Sequence, residues 1–271
     1  MEHNMKHLIQ FFGSLQSGKT SSAGAIYAFE MVKNGIVPVI KFNNGKMYIV
    51  YDKKSNEGSL FDIDTEDQKL IKFMQNNVYQ FVKHINLATN LKESLKTLFG
   101  ISHESLYGTN EEKNRTTHIP WANMLKLMPP EVKEKYYNRI NDYMTGRELM
   151  QVWGTDICRT LDNDCHIKSG INQIIKANPN IGIIPDGRFA NEFEIVNALK
   201  NNSNFKVWQI KLKRNPIKSN VKAEQAAPEI DESRYDLVIE NSEMTVDEKN
   251  QVVIDFLIEK GVLEMKGIEI T

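Results

Sequence analysis

The chain has 271 residues, 41% hydrophobic and 25% charged, an ordinary globular composition with ample material for a core. Its formal net charge is −1, so no global field favours nucleic acid, which argues against a helicase or packaging motor. Residues Met1 to Lys6 lack a signal peptide's apolar run and no stretch is long enough to span a bilayer, so a soluble, cytoplasmic protein is expected.

In chain order, the apolar stretch His7 to Phe12 reads as a buried first strand. Gly13-Ser14-Leu15-Gln16-Ser17-Gly18-Lys19-Thr20 follows, a complete G-x-x-x-x-G-K-[ST] pattern, and Thr20 to Asn34 reads as a helix. Strand, glycine loop and helix start form a cradle of backbone N–H groups aimed at an anion. In such a loop Lys19 reaches the β/γ-phosphates and the Thr20 hydroxyl holds Mg²⁺. The runs Ile36 to Phe42 and Lys46 to Tyr51 flank Asn43-Asn44-Gly45, a hairpin signal that interrupts the β/α order as an insertion over 36–64. Thr65 to Val82 carries Leu70, Met74, Val78 and Phe81 at near-helical spacing, with Asp64 as the expected N-cap.

Lys83 to Leu87 is a short strand, Thr89 to Phe99 a helix closed by Gly100, and Ser102 to Tyr107 a helical turn ending at Gly108. The polar stretch 109–145, with Pro120, Pro129 and Pro130, reads as an irregular lid or substrate segment. Thr145 to Leu161 and Asp164 to Ala177 read as helices, Thr145 with Glu148 having capping-box spacing. Arg147, Gln151 and Thr155 recur at i, i+4 and i+8 on one face, where a polar surface stripe is the plainer reading and base or phosphate contact the functional one. Ile181 to Asp186 is an apolar run ending in an acid, followed by Arg188. In a parallel sheet these side chains stand beyond the strand's carboxyl end, where ligands bind, and Arg188 could clamp phosphate. A helix over Phe189 to Lys200, a strand over Phe205 to Leu212, an irregular charged segment 214–234, a strand Asp236 to Glu240 and a helix Thr245 to Lys260 complete the chain. Strands alternating with helices imply a parallel sheet with right-handed crossovers. Cys158 and Cys165 read as reduced packing residues, and the histidines have no spacing that suggests a metal or a triad.

Several motifs coincide in order. After the glycine loop come Leu87-Ala88-Thr89-Asn90-Leu91-Lys92-Glu93-Ser94-Leu95, then Arg147-Glu148-Leu149-Met150-Gln151-Val152-Trp153-Gly154-Thr155-Asp156. Pro185-Asp186-Gly187-Arg188-Phe189-Ala190-Asn191-Glu192 and Tyr235-Asp236-Leu237-Val238-Ile239-Glu240-Asn241 follow. With this order the chain resembles the deoxynucleoside monophosphate kinases of tailed bacteriophages, over most of residues 6–260 outside the hairpin insertion. The resemblance implies one P-loop kinase domain over 1–271, a three-layer α/β/α fold with a mainly parallel five-stranded sheet, the inserted hairpin, and a lid segment at 109–145. It implies ATP contacts from Gly13, Gln16, Ser17, Gly18, Lys19, Thr20, Ser21 and Arg214. Contacts to the deoxynucleoside monophosphate are implied for Leu91, Lys92, Arg147, Gln151, Thr155, Asp186, Arg188 and Glu192. The catalytic set is then Lys19, Arg147 and Arg188, and Mg²⁺ sits on Thr20 and, through water, on Asp186. The loop carries Leu15 and Gln16 where some family members place a basic residue. A homodimer, the host cytoplasm and a role in supplying DNA precursors are further implications, with no nucleic acid or membrane partner. Two other readings remain open to the residues themselves: a P-loop kinase of another small acceptor, such as dephospho-coenzyme A or a nucleoside, and an ATP-binding regulatory protein without catalysis.

Overall fold

The computed structural model describes residues 6–14, 16–43, 46–50, 58–202, 205–214 and 230–264. Leu15, Asn44 and Gly45 (where the hairpin turn is expected) and segments 51–57 and 215–229 lie outside the described residues. The chain divides into two compact units, Met1–Asn86 with Ile171–Thr271, and Leu87–Gly170.

In the first unit, β1 (Lys6–Gly13) leads into α1 (Lys19–Lys33). β2 (Val39–Asn43), β3 (Lys46–Val50) and β4 (Ser59–Phe61) form an antiparallel sheet of their own, so the inserted hairpin has a third strand. This sheet packs on α1: Met47 Cε lies against Gly24, and Tyr27 and Phe61 bring their rings to 6.5 Å. α2 (Gln68–Asn77) is shorter than the apolar spacing predicts, and its cap is Asp67, which accepts from the N–H of Lys69 and Leu70. Asp64, the expected cap, instead accepts from Asn86 Nδ2 and meets His84 Nε2 at 3.0 Å. β5 (Val82–His84) closes this stretch.

The second unit begins with α3 (Ala88–Phe99), ended by Gly100 at φ 64, then α4 (His103–Tyr107) and α5 (Asn110–Lys113). The 109–145 stretch is regular where the sequence suggests irregularity. β6 (Thr116–Pro120) pairs antiparallel with β7 (Tyr143–Thr145), and α6 (Trp121–Leu125) and α7 (Pro130–Tyr136) lie between them. The reason is packing: Trp121, Met124, Leu125, Met128 and Met144 are buried in one core with Leu95, Leu106, Leu149 and Val152. The predicted helix Thr145 to Leu161 is in fact three pieces, α8 (Gly146–Gln151), a π-helical stretch Val152–Cys158 and α9 (Arg159–Leu161). The expected capping box at its start is present, Thr145 and Glu148 each accepting the other's N–H.

The unit boundary falls within α10 (Cys165–Ala177), after which β8 (Ile181–Gly187), α11 (Ala190–Asn202), β9 (Phe205–Lys213), β10 (Leu237–Glu240) and α12 (Val246–Glu259) return to the first unit. The central sheet runs β10-β9-β1-β8-β5, and all four pairings are parallel. β1 is buried on both faces at Leu8, Ile9, Phe11 and Phe12, the near-continuous apolar run of a central parallel strand. Of its buried polar residues His7 and Gln10, Gln10 accepts from Gln209 Nε2 at 3.0 Å and donates to the Glu192 carbonyl. Helices flank the sheet, an architecture compatible with three α/β/α layers. Among the described residues no helix is long and apolar enough to cross a membrane.

Candidate functional site

Because the strands are parallel, β1, β8 and β5 all end at one edge of the sheet, and the chain turns there into its loops. β1 ends on Gly13 at φ 149, where an added Cβ would collide with the Leu212 carbonyl and Ser17 Oγ. Only glycine lets the backbone turn so close to β9. The loop then places Gln16 at φ 60 and Gly18 at φ 90, and Gly18 is the N-cap of α1. α1 therefore starts with no side chain capping its first N–H groups, the arrangement in which a helix end offers them to an anion.

Lys19 curls back across this loop. Its ammonium donates to the carbonyls of Gly13 and Ser14, both at 2.8 Å, and lies 3.4 Å from Ser17 Oγ. Burial, with the Arg188 guanidinium adding to it, draws its pKa down to about 8, and the Asp186 carboxylate opposes the shift. The charges at the end of β8 thus act on Lys19 itself. Thr20 is exposed in the first turn of α1, Ser17 is buried, and Ser21 Oγ accepts from Asn250 Nδ2 at 3.2 Å. Arg214 donates to the Gln16 carbonyl at 3.3 Å, and its own carbonyl accepts from Ser14 Oγ.

The turn after β8 is fixed from beneath. Glu192 is buried, and its Oε2 accepts from the N–H of Arg188 at 2.7 Å and of Phe189 at 3.1 Å. This carboxylate holds the turn that carries Arg188, as a third-position glutamate does at a helix start. Thr20 and Asp186 bring hard oxygen donors, the ligand class Mg²⁺ takes, usually with phosphate and water completing the shell. Among the described residues no group of three or more His, Cys, Asp or Glu side chains could hold a metal by itself.

The other expected residues lie in the Leu87–Gly170 unit. Arg147 donates from Nε to Asn114 Oδ1 at 3.1 Å and from a terminal nitrogen to Asn110 Oδ1 at 2.7 Å. Lys92 Nζ stands 4.3 Å over the Tyr107 ring, and the Tyr107 hydroxyl donates to Glu93. Leu91 packs against Gly154, where an added Cβ would come within 2.8 Å of Leu91 Cδ2. Gln151 ends α8 and Thr155 lies in the π-helical stretch, so the i, i+4, i+8 stripe crosses a change in helical winding. In the same stretch Asp156 Oδ2 is buried without a hydrogen bond, and burial pushes this carboxyl above its usual range, with Lys135 opposing. Asp156 closes the Arg147 to Asp156 motif, but the sequence assigns it no role.

Nor does the sequence assign a role to Lys249, Asn250 or Asn241, the last residue of the Tyr235 to Asn241 motif. Asn241 Nδ2 donates to the Ser17 carbonyl at 2.9 Å, Lys249 Nζ to the Gly18 carbonyl at 2.7 Å, and Asn250 meets both Ser21 and Ser22. Each is more than 220 residues from its partner, so no local spacing marks it. No protein-family model matches the chain, and no curated protein matches it.

Proposed function

We propose that the chain transfers the γ-phosphoryl group of ATP to a deoxynucleoside 5′-monophosphate. The observation that carries the donor half is the Gly13 to Thr20 loop, with an uncapped helix start at Gly18 and Lys19 folded over the loop carbonyls. Phosphate oxygens are better partners for that ammonium than amide carbonyls, because both sides of the bond are then charged. Lys19 would hold the β- and γ-phosphates, the first N–H groups of α1 would receive their oxygens, and Arg214 would add charge beside Gln16. Mg²⁺, held by Thr20 and through water by Asp186, would neutralise charge on the triphosphate when bound.

The acceptor half rests on the resemblance. By that resemblance Arg188 in the first unit, and Arg147 and Lys92 in the second, are the residues assigned to the monophosphate, and Leu91, Gln151 and Thr155 those assigned to the nucleoside. Glu192 would act on Arg188 through the turn that it fixes. No general base is needed, because a phosphate monoester oxygen is already anionic near neutral pH. Positioning and charge neutralisation carry the reaction. Lys19→Ala tests the donor half. ADP formation in the presence of a deoxynucleoside monophosphate should fall at least a hundredfold, on the order of 3 kcal/mol of transition-state stabilisation. A variant retaining most of the activity would refute the assignment of Lys19.

A further inference from the structure

Two successive carbonyls of the glycine loop are held by side chains of the C-terminal segment. Asn241, just after β10, donates to the Ser17 carbonyl, and Lys249 of α12 donates to the Gly18 carbonyl. The Gly18 oxygen also accepts the N–H of Ser22, the first bond of α1. In a trans peptide the C=O and the following N–H point to opposite sides of one rigid plane. Pinning the Ser17 oxygen therefore aims the Gly18 N–H, and pinning the Gly18 oxygen aims the Lys19 N–H. Both are turned away from the C-terminal segment, at the helix start that has no side-chain cap. Successive N–H groups fixed on one side make an anion-binding concavity.

The burial of Lys249 makes a merely adventitious contact a poor explanation. The residue is 1% exposed, and no carboxylate lies within ion-pair distance of its ammonium among the described residues. A buried cation without such a partner is costly. Burial and the Arg214 guanidinium pull its pKa down to about 8, and Asp247 opposes the shift. An anion bound at the loop would offset that positive charge. A side chain at Gly18 would also come within 2.5 Å of Lys249 Nζ, so the close approach of this lysine requires glycine there.

We propose that Lys249 is a positioning residue of the triphosphate site: it fixes the Gly18–Lys19 peptide so that its N–H faces the phosphates, while Asn241 fixes the preceding peptide. The inference rests on the reading of the glycine loop as a triphosphate site. Lys249→Met keeps the length and apolar stem of the side chain and removes the donor and the charge. Binding of inorganic tripolyphosphate and of a non-hydrolysable ATP analogue, measured by calorimetry, should weaken by about tenfold or more, the scale of one lost charged hydrogen bond. The loss should be the same for both ligands, because it lies at the phosphates. The KM for ATP should rise while the KM for the monophosphate stays unchanged, a split that general loosening of the fold would not give. Equal binding by Lys249→Met and the parent chain would overturn the inference alone. A parent chain that binds neither ligand would overturn the reading of the loop, and this inference with it. If Lys249→Met does not fold, Asn241→Ala takes its place, with the same expected loss and the same contrary result.

Discussion

Trp208 Nε1 donates to His7 Nδ1 at 3.3 Å, so this ring nitrogen must keep its lone pair. Burial and the neighbouring Lys206 hold the His7 pKa down at about 4, well below 6.5. The unfolded chain therefore binds more protons than the folded one between those values. Stability is fully present above pH 6.5 and is lost as pH falls towards 4. The loss should be on the order of 2 kcal/mol, allowing for partial hydration of the ring. Urea denaturation at pH 7 and pH 4.5 should show it, and His7→Gln should reduce the difference. An unchanged difference in that variant would contradict the account of His7. At this scale Gly13, Gly18 and Lys19 stand out in the sequence, because all lie within one eight-residue pattern. The contacts of Lys249 and Asn241 with the loop were not legible: a lysine in an amphipathic helix reads as solvated until the fold buries it against Gly18.

The π-helical stretch Val152–Cys158 shows what periodicity leaves out. The capping box at Thr145 is written locally and can be read, but the switch from i→i+4 to i→i+5 bonding depends on what packs against the turn. Gly154 is the contact that matters there, its carbonyl 3.1 Å from His166 Nε2 and its Cα side filled by Leu91. Gly154→Ala should push Leu91 aside. A cost of about 1–2 kcal/mol is expected, since a side-chain methyl can give way where a backbone atom cannot. Because Leu91 is proposed to line the nucleoside, the KM for the monophosphate should rise several-fold while the KM for ATP stays constant. An equal rise in both, or in neither, would contradict the placement of Leu91. The 109–145 stretch was opaque for a related reason. Its elements are three to seven residues long, too short for a hydrophobic period to show, and its order comes from the shared burial of Trp121, Met124, Leu125 and Met144.

At the scale of the whole molecule, alternation of apolar strands with helices made the parallel sheet legible, and all four strand pairings are parallel. The order β10-β9-β1-β8-β5 was not, because each parallel crossover can pass to either neighbour and only packing decides. The third strand of the inserted sheet was also hidden, since Ser59 to Phe61 is too short to carry an alternating pattern. The sheet brings the glycine loop at the end of β1 and the Asp186–Arg188 segment at the end of β8 to one edge, where Asp186 and Arg188 act on the Lys19 charge. In the proposed reading those two features form the donor half of a phosphoryl transferase whose acceptor is a deoxynucleoside monophosphate. The most direct test gives the purified chain Mg²⁺, γ-labelled ATP and each of the four deoxynucleoside monophosphates in turn. Label is expected in a deoxynucleoside diphosphate, with ADP formed in equal amount, for at least one base. ATP binding with no label transferred to any of the four would contradict it.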